Sequence, residues 1–168
     1  MSNTTDLPRY NSPPVVETVL GVHFQPLENV SLVDQCLFWS TLSDEFPQLE
    51  ERPTVDEVRE RFGDELWSST GQVRWQQISG PPPIRLWAKS VDERHTLQIQ
   101  SNALLTNWER RPEQPENYLS YSQRRSKFEK VLSAYATFLS ERGKGSLQPR
   151  NCMVRYINHI PLDDMDVA

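Results

Sequence analysis

The sequence predicts an α+β protein: a mostly antiparallel sheet of about five strands, with a long helix and a shorter helical pair packed on one face. Three observations carry that expectation. Residues 15–24 and 150–160 alternate with the period of two that marks a strand. Residues 118–143 repeat with the 3.6-residue period of an amphipathic helix. Between them lie three further strand-like segments joined by turn residues, which suits hairpins better than parallel crossovers.

Residues 1–12 are polar and read as a flexible tail. Pro13 and Pro14 cannot donate to a sheet ladder and mark the entry to the first strand. In residues 15–24, Val16, Thr18, Leu20, Val22 and Phe24 point one way and Val15, Glu17, Val19, Gly21 and His23 the other. Both faces hold apolar residues, so this strand belongs inside the sheet. Ser31 and Asp34 have capping-box spacing, in which the hydroxyl accepts from a free N–H and the acid complements the helix dipole. Leu32, Cys36, Trp39, Ser43 and Phe46 then form one helical face, which Pro47 ends. Thr54 with Glu57 repeats the cap before a short helix that Gly63 closes.

The meander follows. Residues 72–78 and 84–90 flank the stiff Gly80–Pro83 turn. Residues 96–108 exceed ordinary strand length, so they predict a bulge near Ser101 or Asn102, or two strands with a tight bend. Residues 110–117 are a polar loop. In the long helix, Tyr118, Tyr121, Arg125, Phe128, Leu132, Tyr135 and Leu139 share a stripe, and Gly143 is the stop. Residues 150–160 supply the last strand, expected beside the first. Residues 13–161 thus read as one domain, and residues 162–168 as an acidic tail.

Composition narrows the function classes. Of 168 residues only 36% are apolar, a low share for a self-contained core, so the core is expected to be thin, or part of it to belong to a partner or to a further half. Acids outnumber bases 23 to 18, giving a net charge of -5 that argues against a general nucleic-acid coat. No apolar run spans a membrane and no basic start precedes one, which points to a cytoplasmic protein. Cys36 and Cys152 match no metal spacing and read as two buried thiols. No phosphate loop, dinucleotide fingerprint, nucleophile elbow or helical zinc pair occurs, so no cofactor or metal is called for.

Two constellations remain. Glu17, His23, Asn107, Asn158 and His159 sit on strand patterns and are candidates for a small polar pocket. The asparagines there, with Asn102, otherwise satisfy backbone at bulges. Glu17, His23 and His159 together would make a cryptic hydrolase. Trp108, Arg110, Arg111, Arg124 and Arg125 are candidates for anion or nucleic-acid contact, since guanidinium groups among aromatics meet phosphates while bases stack. Lys127 and Lys130 extend that basic cluster, and an acidic segment from Asp44 to Glu65 opposes it, read as a solvated helical face. The leading expectation is a non-enzymatic module that binds a protein partner or its own copy, with nucleotide or RNA contact and hydrolysis as alternatives.

Three segments read together: the opening PPVVETVLGVHF from Pro13, then Asn107-Trp108, then RYINHI from Arg155. This resembles a sporadically distributed bacterial family whose hallmark is a PPVVE-type opening strand, with Phe38-Trp39 and the segment from Tyr118 to Phe128 in the expected order. The resemblance carries over no activity and no catalytic or binding residue. It implies a bacterial or phage-like protein and a longer architecture than this chain; an accessory or neutralising role toward another protein belongs to the leading expectation of a binding module.

Overall fold

The structure is a computed structural model and describes residues 14–57, 83–111 and 119–159. Along the chain come β1 (Val15–Phe24), α1 (Leu32–Ser40), β2 (Gln48–Pro53), β3 (Ile84–Lys89), β4 (His95–Gln100), β5 (Ala103–Glu109), α2 (Tyr121–Glu141) and β6 (Pro149–Asn158). The fold is α+β, as expected. The sheet has six strands rather than about five, in the order β2-β3-β4-β5-β1-β6, and every neighbouring pair is antiparallel.

The first strand does lie inside the sheet, between β5 and β6. Its Gly21 sits opposite Leu105, and a Cβ there would come within 2.6 Å of the Leu105 side chain. Glycine at that point lets the Leu105 side chain lie against the strand, and any side chain would force Leu105 to shift. The long run from Thr96 resolves as two strands, with Ser101 and Asn102 at the bend. That bend is pinned to the end of β1, because the Phe24 and Leu27 N–H groups donate to the Asn102 and Ser101 carbonyls.

One strand was not expected. The segment QLEERP carries four polar or charged side chains and only one large apolar residue, Leu49, so it has no apolar alternation to read. It forms β2 because its backbone pairs with β3. Glu50 and Glu51 therefore belong to an edge strand, not to the solvated helical face expected of the acidic segment. Residues 54–57 have no regular structure, and the remainder of the expected short helix lies outside the described residues, as do the expected strand over 72–78, most of the Gly80–Pro83 turn, the tails and most of the polar loop.

The capping box of α1 is present in both directions: Asp34 N–H donates to Ser31 Oγ (3.2 Å) and Ser31 N–H donates to Asp34 Oδ2 (2.9 Å). The buried positions of α1 centre on Phe38, while Cys36 and Trp39 are half-buried. In α2 the buried positions are Arg124, Phe128, Tyr135, Phe138 and Leu139. The helix is thus turned by one residue at its start from the expected stripe: Arg124 is buried, while Tyr121 and Arg125 are exposed. Gly143, at φ 62°, follows the cap and takes the left-handed conformation expected of a stop.

The core joins alternate residues of the sheet to both helices. Leu20, Val22, Phe24, Leu86, Ala88, Leu97, Ile99 and Leu104 cluster with Phe38 of α1 and with Phe128, Tyr135, Phe138 and Leu139 of α2. Tyr135 is its hub, 4.7 Å from the Phe38 ring and 6.3 Å from the Phe24 ring, distances at which aromatic pairs attract. The opposite sheet face is different. Among the described residues its apolar cluster is Val19, Ala103 and Leu105 with Met153 against them. The other buried side chains there include Thr96, Gln98, Gln100, Asn107 and His23. Among the described residues, that face is the polar one.

Both cysteines are free. Cys152 lies exposed on β6 rather than buried, because its strand is at the edge. Among the described residues no helix is long and apolar enough to cross a membrane.

Candidate functional site

The sheet face that carries the main core also bounds a cavity of about 420 Å³, within the range of small-molecule sites. Its placement begins with the start of α2. A second capping box, between Ser120 and Gln123, fixes where the helix begins and hence which residues face the sheet. Arg124, Lys127, Phe128, Val131 and Ala134 then fall at spacings of three and four and all line the cavity. Thr18 and Leu20 of β1, Trp108 of β5 and His95 of β4 line it from the sheet, and Leu42, Glu45 and Phe46 close it from the turn after α1.

The polar end of the cavity is built around Arg124. This side chain is buried; its Nη1 donates to Thr18 Oγ1 (2.9 Å), and its guanidinium lies 5.3 Å from the Trp108 ring centre and 5.8 Å from that of Tyr156. Cations at such distances are attracted to the ring faces, most strongly where water is excluded. Burial, and then the nearby Lys127 charge, lower the titration of His95 below the ordinary imidazole range, so it is a neutral donor and acceptor at pH 7. Lys127 and Lys130 make no ion pair among the described residues. Among the described residues the lining thus carries the cations Arg124, Lys127 and Lys130 against the carboxylate of Glu45, over walls formed by Leu20, Leu42, Phe46, Trp108, Phe128 and Val131.

On the other face, four polar side chains form a diagonal across β3, β4, β5 and β1. Arg85 Nη1 donates to Gln98 Oε1, Gln98 Nε2 donates to Asn107 Oδ1 (2.6 Å), and Asn107 Nδ2 donates to Glu17 Oε1. Each step is to the diagonal neighbour: Gln98 sits opposite Trp87 and Leu105, and Asn107 opposite Val19. The line runs from a guanidinium to a carboxylate through two amides that each donate and accept. Such a line satisfies buried groups only in one register. Gln100 does the same for the crossing segment, since its amide both accepts from and donates to the Val55 backbone (3.1 and 3.0 Å).

The expected polar pocket therefore separates into parts. Glu17 and Asn107 are joined directly. His23 lies six residues along β1 from Glu17, which at strand rise is roughly 20 Å. It is buried, not at the rim, and burial lowers its titration below the ordinary range while Glu57 works against that. Asn158 and His159 are exposed at the far end of β6, where His159 N–H donates to the Pro14 carbonyl (2.9 Å). His23 pairs with Asn151, eight residues from His159 along β6, or roughly 26 Å. His23 is thus far from both Glu17 and His159, so the three side chains expected of a hydrolase do not converge on one point, while Glu17, opposite Ile157, lies at the His159 end of the strand pair. Asn102 holds Gln100 from the bend, consistent with an asparagine satisfying local polar groups.

The basic cluster separates as well. Trp108 and Arg124 meet in the cavity. Arg110 donates its N–H to the Val16 carbonyl, Arg111 pairs with Glu93 (3.2 Å), and Arg125 pairs with Glu129 (2.8 Å). Of these arginines only Arg124 lines the cavity; Arg110 and Arg111 are half-buried and Arg125 is exposed. Lys127 and Lys130 take the cavity positions instead; the sequence signals them only by their spacing from Arg124. Thr18, His95 and Glu45 carry no sequence signal for this site, since they reach it only through sheet register and the packing of α2. Comparison with protein-family models, with curated proteins and with solved structures finds no match for this chain.

Proposed function

We propose that this chain is a non-enzymatic binding module that associates through the open edge of β6, its occupant being β6 of a second copy. The observation that carries this reading is the contrast between the two edges of the sheet. The β2 edge is short, holds Glu50, Glu51 and Arg52 in a row and ends on Pro53. Those are the devices that keep an edge from pairing. The β6 edge is ten residues long and leaves Val154, Tyr156 and Ile157 50%, 40% and 39% exposed. Among the described residues nothing pairs with its outer side.

Two-fold antiparallel pairing centred on Met153 suits a second copy. It sets Val154 opposite Cys152, Ile157 opposite Pro149, Tyr156 opposite Arg150 and Arg155 opposite Asn151. No like charges meet, and one cation meets an aromatic ring. Two-fold dimers are also the commonest closed assembly. The helices supply the rigid backing in this reading, both covering one sheet face as the shared core suggests. The resemblance to the sporadically distributed bacterial family, and with it an accessory role in the cytoplasm, belongs to the same proposal.

Size-exclusion chromatography with light scattering tests it. The expected result is twice the chain mass at about 50 μM and a monomer for Val154→Lys. A wild-type chain that stays monomeric overturns the self-pairing, whether or not a strand of another protein is then found on β6.

A further inference from the structure

We propose that the cavity between α2 and the sheet is a binding site for a small aromatic anion, a carboxylate or phosphate carried on a flat apolar body. This stands apart from the reading of β6, since no residue of that strand lines the cavity. Three features define the ligand. First, charge: among the described residues Arg124, Lys127 and Lys130 line a cavity in a chain whose net charge is -5, against Glu45. Concentrating cations in one concavity of an acidic protein selects anions by sign. Second, shape: the remaining walls are Trp108, Phe128, Leu20, Leu42, Phe46 and Val131, so a fully hydrated ion would leave most of the lining unsatisfied, whereas an apolar body fills it. Third, fixed polar groups: Thr18 and the neutral His95 stand at the same end as Arg124 and orient the head by hydrogen bonds.

The cations divide the work. Arg124 is held by Thr18 and by ring contacts, so it serves as a preset charge at the cavity wall. Lys127 and Lys130 are exposed at the mouth and bring their charges to the ligand without first breaking an ion pair among the described residues. Binding thus draws its sign selectivity from the mouth and its contact area from the walls. The recognised chemistry is one charge and one flat apolar group, and no bond is made or broken.

The test is titration of the intact chain with naphthoate, naphthyl phosphate and neutral naphthol, followed by the indole N–H signal of Trp108 in two-dimensional NMR. Both anions are expected to saturate one site, with naphthol at least about fivefold weaker, as loss of a charge-assisted contact implies. Lys127→Glu is expected to weaken both anions by about tenfold or more, with the loss shrinking at high salt. Ala134→Trp is expected to exclude all three compounds while leaving every lysine in place. Unchanged amide spectra away from the site confirm that each variant is folded. Failure of both anions to saturate up to about 1 mM, a Kd near the weak end of specific binding, overturns the proposal. So does equal binding of naphthol, or indifference to Lys127→Glu in a folded variant.

Discussion

Replacing Asn107 by alanine should destabilise the protein by about 2–4 kcal/mol, through lost polar pairing and not through lost packing. The figure follows from the geometry. Asn107 is 6% exposed and Gln98 4% exposed, so neither amide can turn to water when its partner goes. The substitution removes the acceptor of Gln98 Nε2 and the donor to Glu17 Oε1. A buried polar group left without its partner costs about 1–3 kcal/mol, and a carboxylate that keeps some access to solvent sits near the low end. Adding Gln98→Leu removes the stranded amide but also takes the acceptor from Arg85, so pairing it with Arg85→Met, which removes that cation too, should recover part of the loss. Urea unfolding at neutral pH, read by circular dichroism, measures both. A single variant within about 0.5 kcal/mol of wild type, a typical surface effect, would refute the view that this diagonal is a fixed structural line. The Glu17–Asn107 pair would then be free to serve as a site.

Other expectations follow from single positions. Gly21→Ala should cost about 1–3 kcal/mol by overpacking, because the new methyl meets the buried Leu105 side chain; thermal unfolding of the variant and of Gly21→Ala with Leu105→Val distinguishes overpacking from lost backbone freedom. Asp34 is held down to about 2 by the Ser31 hydroxyl first, then by the Ser31 N–H and Lys144. Its folded value lies below the ordinary 3.8, so its contribution to stability is complete above that value and is lost as pH falls through about 2. Carboxyl NMR titration should show Asp34 moving toward the ordinary range in Ser31→Ala. His95 works in the same direction at higher pH: its lowered titration means stability rises as pH passes upward through the ordinary imidazole range, and His95→Gln should flatten that part of the profile in pH-dependent melting.

The parts of this fold that are legible in sequence are those where one physical signal dominates. β1 is a ten-residue run rich in apolar and β-branched residues on both faces, α1 and α2 carry the serine caps that define their starts, and Gly143 marks a helix end through its left-handed φ. β2 was not legible because its pairing rests on backbone hydrogen bonds while its side chains read as a charged linker. The start of α2 was misplaced in rotation because Tyr121 and Arg125 continue the apolar spacing, yet the sheet leaves room beside Thr18 and Trp108 for the neighbouring Arg124. That one-residue turn decides the candidate site, since it puts Arg124 in the cavity and Arg125 against Glu129 on the surface. The polar pocket expected on alternation alone does not take in His23, for a related reason. His23 and His159 share neighbouring strands, but antiparallel register carries them to opposite ends.

The most direct test of the central claim, that β6 pairs with β6 of a second copy, is a cysteine cross-link at its predicted dyad. In a chain carrying Met153→Cys with Cys36→Ser and Cys152→Ser, two-fold pairing brings the new thiols opposite each other, at the Cβ separation of about 4.5–5.5 Å across a strand pair. Mild oxidation should then convert most of the protein to a disulfide dimer within minutes, while a control thiol at the exposed Ser140 of α2 should remain largely unlinked at the same concentration. A Met153→Cys chain that cross-links no faster than the Ser140→Cys control would contradict the pairing.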